Sequence, residues 1–351
     1  MVDSSDVTPV RPDEQLDARI VADYLRGKLP GSDGPLDILQ FPGGHANLTY
    51  LLRYGEREYV LRRPPLGPIA PKSHDMVREY RALAALGPYY PHAPRVFVLC
   101  EDPAVIGAPF FVMERRHGIV VRREIPPEIP STPETRRRIG EAAIDALADL
   151  HLVPVAGTPV ATLGKPEGFV ERQIRGWAER WHRAKTEEQP AMESLAAWLL
   201  AHLPAPAAPT VVHNDFKLDN MMLDPSDPGR VVAVLDWDMT TLGDPRIDLG
   251  TLLGYWPEAS DPPERLAIAM QPTYLEGFPT RAEVVARYAA RVDRNVADIA
   301  FFETFALFKL AVVLQQIYVR FVRGQTKDER FAAMGESVRR LADIAIASRP
   351  A

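Results

Sequence analysis

A single cysteine, Cys100, in 351 residues leaves no partner for an intramolecular disulfide and no thiolate set for a metal cluster. Its expected role is a small apolar filler near a strand end. Basic excess is also lacking, since 41 Lys and Arg face 47 Asp and Glu for a net charge of -6. Without a positive field, or a basic tract interleaved with aromatics, nucleic acid is not an expected partner. No long hydrophobic run is unbroken. The most apolar stretch, IAFFETFALFKLAVVLQQI (299–317), is interrupted by Glu303, Lys309 and Gln315, which favours a buried helix over a membrane span, so no membrane partner is expected. The first twenty residues hold neither an apolar signal core nor the Arg-rich, acid-poor composition of a transit peptide, and a cytoplasmic location is expected. Internal repeats and low-complexity tracts are absent, and oligomeric state leaves no trace in the sequence.

Proline is abundant. Its 34 copies cluster at 64–71, 88–94, 126–133, 204–209 and 225–228, where they punctuate connections instead of breaking periodic segments. A chain of this length exceeds the usual single core, so two packed units are expected. From 36 to 62, LDILQF, NLTYLLRY and EREYVLRR read as an antiparallel meander. A helix follows over 73–86, with Ser73 as its cap and Met76, Tyr80 and Leu83 on one face, ended by Gly87 and Pro88. RVFVLC (95–100) and PFFVMER (109–115) add two strands. After Gly118 the periodicity is helical, roughly over 134–151, 167–186, 191–202, 246–256, 281–293, 297–323 and 328–347. A β island (210–237) interrupts these helices. The class is α+β: a five-stranded antiparallel sheet with one helix and an N-terminal helical extension in 1–116, then a mainly helical 117–351 containing a β-hairpin at 210–238.

Chemistry concentrates in that hairpin. His213, Asp215 and Asn220 in HNDFKLDN fit H-x-D-x-x-x-x-N, a spacing in which the aspartate accepts a hydroxyl proton and the asparagine holds Mg²⁺. Asp236, in LDWD, stands 21 positions after Asp215 at the end of the apolar strand VVAVL, where a carboxylate can bridge metal and phosphates. Hard oxygen ligands suit magnesium. Any one of these residues alone would be read as an ordinary Asx turn; their joint order points to catalysis.

HNDFKLDNMML together with VVAVLDWDMTTLGDPRIDLG resembles the signature of the aminoglycoside phosphotransferase and choline kinase group, which shares the bilobal protein-kinase-like fold. FPGGHANLTYLL, YVLRRPP and GDPRIDLGTLLGYW are most similar to the kinase-like domain fused to some acyl-CoA dehydrogenases. The resemblance covers about residues 36–260. It implies Asp215 as catalytic base, Asn220 and Asp236 as Mg²⁺ ligands, and ATP as cofactor. Gly43, Gly44 and Asn47 of FPGGHANLT would belong to the phosphate-covering hairpin, although the G-x-G-x-x-G spacing of protein kinases is missing. Val60 would touch adenine and Arg62, where protein kinases keep lysine, would reach the phosphates and pair with Glu79, unless Glu79 is simply a solvated helical residue. Met113 would lie beside adenine, with the backbone of Glu114 and Arg116 at its edge. His213 is expected to brace the loop, and His151 to pack at a helix end.

Asp244 follows Asp236 by only eight positions and no A-P-E sequence comes after, which favours a small-molecule hydroxyl acceptor over a protein. The helix ERQIRGWAERWHRAK (171–185) carries five Arg or Lys against two Glu. Arg172, Arg175, Trp177 and Trp181 are the candidate acceptor contacts, and they suit an anionic, hydroxyacyl-CoA-like compound better than a polycationic aminoglycoside. The plainer reading is a solvated helix whose tryptophans pack into the core. Aminoglycoside or choline-type transfer, a non-catalytic nucleotide-binding module and a metal-dependent hydrolase are the rival functions. The last lacks an H-x-x-x-H or two-metal cluster near 213–238.

Overall fold

In the computed structural model of the chain, residues 6–42, 47–66, 75–326 and 328–350 are described. The chain divides into two compact units. The first comprises Met1–His117, Thr158–Val160 and Ala233–Thr240, and the second Gly118–Gly157, Ala161–Val232 and Thr241–Ala351. Whereas the sequence reading kept the whole hairpin 210–238 in the second unit, the strand end and turn carrying Asp236 cluster with the first.

In the first unit, α1 (Ala18–Leu25) precedes β1 (Asp37–Gln40), β2 (Leu48–Tyr54) and β3 (Arg57–Arg63). Then come α2 (Met76–Leu86), β4 (Val96–Cys100) and β5 (Phe110–Glu114). The strands form one antiparallel sheet in the order β1-β2-β3-β5-β4. Because side chains alternate along each strand, the sheet has two distinct faces. One face supplies Tyr50, Leu52, Leu61, Val112 and Cys100 to a core with Val21 and Leu25 of α1, which gives Cys100 the filler role expected of it. The opposite face bears Val60, Arg62, Phe111 and Met113, and Tyr80 of α2 meets Phe111 edge-on at 6.3 Å. The cap of α2 differs from expectation. Asp75 caps it, accepting the Arg78 N–H, because the helix starts at Met76; Ser73 lies outside the described residues.

The second unit opens with α3 (Pro133–His151), α4 (Phe169–Ala184) and α5 (Pro190–Ala201). The short strands β6 (Thr210–Val212), β7 (Met221–Leu223), β8 (Val231–Val234) and β9 (Thr241–Gly243) follow. It closes with α6 (Arg246–Gly254), α7 (Pro263–Leu266), α8 (Arg281–Val292), α9 (Ile299–Val322) and α10 (Met334–Ser348). The sequence missed β9, three residues long, which pairs with β6; it also started α10 six residues early, where a 3₁₀ turn (Glu329–Phe331) stands instead. By length and composition α9 would suffice to cross a membrane. Its Phe302, Phe305, Phe308 and Leu307 are nevertheless buried, and α4, α6 and α10 pack against it. Gly250 explains how closely α6 approaches: a Cβ there would stand 2.6 Å from the Phe302 backbone.

Candidate active site

The first unit assembles the groups expected at a nucleotide. Val60 pairs with Met113 and Arg62 with Phe111 across β3 and β5, so directly opposed side chains put all four on one face. Arg62 divides its guanidinium, with Nη1 3.1 Å from Glu79 Oε1 and Nη2 3.1 Å from Asp236 Oδ1. Glu79 is fully buried, which excludes the solvated-helix alternative. Burial pushes its carboxyl up to about 7 against the pull of Arg62, and Asp236 and Asp238 push the same way. Burial alone would weaken the Arg62 cation, but Glu79 and Asp236 more than offset it.

Asp236 has the left-handed φ of 69°, a conformation that costs a non-glycine residue roughly 1–3 kcal/mol and persists only when neighbours impose it. The neighbours are identifiable. Trp237 donates its indole N–H to the Val234 carbonyl at 2.8 Å, Tyr90 meets Trp237 edge-on at 5.7 Å, and Arg78 donates to the carbonyl of Thr240 at 3.0 Å. Asn47 is buried; Gly43 and Gly44 lie outside the described residues. At the expected hinge, the Glu114 N–H is already donated to the Arg95 carbonyl at 2.8 Å, so it is not a donor for adenine. The Glu114 carboxylate is likewise engaged, by the Arg95 N–H and by Arg116.

In the second unit the loop between β6 and β7 presents Asp215. Its Oδ2 accepts from Lys217 Nζ at 2.7 Å and from Asn220 Nδ2 at 3.0 Å, while Oδ1 makes no such bond among the described residues. Burial pushes the Asp215 pKa up, yet Lys217 and Lys309 outweigh it and hold the carboxylate below its ordinary value. Asn220 also donates to the Asp215 carbonyl at 2.8 Å. With its nitrogen so committed, its amide oxygen is the atom left for a cation. His213 accepts the Asp215 N–H on Nδ1 at 3.3 Å and packs edge-on against Phe216, which is a bracing position.

Asn214 is likewise a strained polar residue, φ 66°, and the residues that hold it were missed by the sequence reading. Asp248 of α6 accepts the His213 N–H at 2.6 Å and the Asn214 N–H at 2.7 Å. Behind it, His151 Nε2 lies 3.2 Å from Asp248 Oδ2, and His151 Nδ1 lies 2.6 Å from the Tyr288 hydroxyl. His151 therefore does more than pack at a helix end. Lys309 of α9, buried, donates to the Asn214 carbonyl. The available signals were Asp248 within GDPRIDLG and a lysine inside an apolar helix.

The acceptor candidates on α4 need correction. Trp181 is fully buried and donates its N–H to Glu193 at 3.0 Å, so it is a core residue and no acceptor wall. Arg175 is exposed and paired with Glu171 on its own helix, and Arg172 folds back on the carbonyls of Lys165 and Glu167. Only Trp177, buried but with Arg180 over its ring, remains.

No group of three or more His, Cys, Asp or Glu gathers for a metal among the described residues. Magnesium does not require one, since it is commonly held by one or two carboxylates plus substrate phosphates and water.

A strand-borne arginine–glutamate pair and an Asp–Asn loop define a kinase-like phosphotransferase, and the comparisons with known proteins agree. Residues 37–284 match the model of the phosphotransferase enzyme family, and the chain belongs to that family. It is 35% identical over 341 residues to mouse acyl-CoA dehydrogenase family member 10, covering 96% of this chain but 31% of that protein. The chain thus spans about a third of that relative's length. A crystal structure of a proposed aminoglycoside phosphotransferase from Ralstonia eutropha is 31% identical, with a TM-score of 0.81 over 95% of this chain and 98% of that one. An aminoglycoside phosphotransferase solved with ADP and hygromycin B shares the fold at 13% identity and a TM-score of 0.58, over 94% and 98% of the two chains.

Proposed function

We propose that this chain is a small-molecule kinase that transfers the γ-phosphoryl group of Mg·ATP to a hydroxyl acceptor, with Asp215 as the base. The observation that carries this reading is the division of labour in the Asp215 carboxylate. Lys217 and Asn220 fix Oδ2, and Oδ1 remains to accept the acceptor's hydroxyl proton while that oxygen attacks phosphorus. Lys217, held cationic by Asp215, Tyr255 and Asp219 against the effect of burial, keeps the base oriented and adds positive charge where phosphoryl oxygens would lie. Arg62, tied to buried Glu79, would bind phosphate oxygens. Val60 and Met113 would face adenine; the Asn47 region and the Arg116 backbone would complete the nucleotide contacts. Magnesium, for which Asn220 and Asp236 are each a candidate ligand, would neutralise charge on the phosphates when bound.

For the acceptor, a hydroxyacyl-CoA-like anion fits better than an aminoglycoside. The cations Lys217, Lys309 and Arg180, at or beside the catalytic loop, would repel a polycation, and the family member 10 relative is named an acyl-CoA dehydrogenase. A cytoplasmic site of action suits a chain with one buried thiol. The test is Asp215→Asn in an ADP-release assay across hydroxyacyl-CoAs, choline-like amines and aminoglycosides. Turnover is expected to fall about a hundred- to ten-thousandfold with ADP affinity kept, because general-base catalysis contributes roughly 10²–10⁴. Unchanged turnover refutes the assigned base.

A further inference from the structure

Outside the catalytic loop, one unsatisfied buried donor of the second unit sits beside two cations. Trp177 is 5% exposed, and its indole N–H has no hydrogen-bond partner. A buried donor left unpaired costs roughly 1–3 kcal/mol, so a partner is expected. The Arg180 guanidinium lies 4.4 Å from the centre of the same ring and the Lys309 ammonium 5.4 Å from it. Arg180 is half-buried and makes no hydrogen bond or ion pair among the described residues. Glu179, the carboxylate within its electrostatic reach, is turned toward Arg183 at 3.9 Å. Burial and Arg183 both work against the Arg180 cation. Burial, Lys217 and Arg180 do the same to Lys309, with Asp215 and Asp248 opposing them in part.

Cation–π contact stabilises such charges without neutralising them. One Lys309 hydrogen is committed to the Asn214 carbonyl, next to the catalytic Asp215, and the others carry no such bond. Two mutually repelling cations and an orphan N–H, none of them in ion-pair or hydrogen-bond contact with a carboxylate among the described residues, make up a set of donors that an incoming anion would satisfy.

Resting on the small-molecule kinase reading above, we propose that Arg180, Lys309 and the Trp177 N–H form an anion-binding subsite that takes the carboxylate or phosphate of the acceptor and sets its hydroxyl against Asp215. This replaces Arg172, Arg175 and Trp181 as the specificity-determining group. Lys309 then has two tasks, since the same ammonium anchors the loop that bears the base.

The full chain is assayed with saturating Mg·ATP and three acceptors: 4-hydroxypentanoate, its CoA thioester and its uncharged methyl ester. Arg180→Gln is expected to raise KM for the charged acceptor that uses the subsite about ten- to hundredfold, with kcat within about threefold and the methyl ester unaffected. Arg180→Lys restores part of the loss. Arg183→Gln, the same charge change on the exposed side of the helix, leaves every KM unchanged. Loss with the free acid identifies a carboxylate, and loss with the thioester alone a phosphate. KM values unchanged in Arg180→Gln, or an equal rise for the methyl ester, overturn the subsite. Calorimetric binding of coenzyme A and of 4-hydroxypentanoate without ATP separates the two claims. If wild type turns over none of the acceptors yet binds one of these probes, and Arg180→Gln abolishes that binding, the kinase reading fails and the subsite stands. If wild type binds neither probe, the subsite is overturned.

Discussion

Replacing Asp248 by asparagine tests how the catalytic loop is held. The Asp248 carboxylate is buried and receives the N–H groups of His213 and Asn214 on separate oxygens, at 2.6 and 2.7 Å, with His151 on the first. Asparagine offers one acceptor oxygen and one NH₂ group, so whichever way the amide turns, one backbone N–H faces another donor. That N–H loses its bond and stays buried, at roughly 1–3 kcal/mol, and the remaining bond loses its charge assistance, at about 1 kcal/mol more. The expected destabilisation is about 2–4 kcal/mol, read as a lower urea midpoint. Asn214 already pays for a left-handed φ of 66°, so part of the strain relaxes by shifting the loop, and Asp215 moves with it. Misplacing a reacting group by about 1 Å can lower the rate roughly a hundredfold. A kcat drop of that order, with ADP affinity unchanged, is the expected signature. Stability within 0.5 kcal/mol of wild type together with an unaltered kcat would refute the claim that Asp248 fixes the loop.

Two other outcomes follow from the first unit. Because the Glu79 carboxyl is raised from its ordinary 4.5 to about 7 by burial, it contributes stability that is complete below its ordinary value and is lost as pH rises through about 7. Denaturant midpoints between pH 4.5 and 8 should show that decline in wild type and a flatter profile in Glu79→Gln; a steeper decline in the variant would contradict the burial argument. Arg62→Lys replaces a fork that reaches Glu79 and Asp236 together, each at 3.1 Å, with a single ammonium. The KM for ATP is expected to rise about tenfold in steady-state assays, and an unchanged value would show that the fork geometry is dispensable.

The sheet and the long helices were legible because their periods are unambiguous. LTYLLRY and REYVLRR alternate, and PETRRRIGEAAIDALADLH repeats at three to four. The candidate set Asp215, Asn220 and Asp236 stood out in the sequence because phosphoryl-transfer chemistry constrains spacing. Three-residue strands such as β9 carry too little pattern to be read. The cap of α2 was misplaced by two residues, since Ser73 and Asp75 both precede the apolar face and only the backbone decides between them. On α4, periodicity put Trp177 and Trp181 on one face, as it must for any i, i+4 pair, but it could not say whether that face meets a ligand or the core. Burial decided for the core at Trp181, and a three-residue step placed Arg180 beside Trp177, where no motif pointed.

Helix α9 shows what the sequence did offer. Three of its polar residues, Glu303, Lys309 and Gln315, were read only as evidence against a membrane span, yet each makes a specific bond within the second unit. Glu303 accepts from Arg265 at 3.0 Å, Gln315 donates to the Ala184 carbonyl at 3.0 Å, and Lys309 donates to the Asn214 carbonyl. A polar side chain survives in an apolar helix only where a partner compensates its desolvation, so every such interruption marks a place where the helix must hold something other than hydrocarbon. For Glu303 and Gln315 that something is the neighbouring helices, and a neutral substitution there would cost stability alone. For Lys309 it is the peptide beside the proposed base, which is how a residue 94 positions away from Asp215 joins the proposed active site.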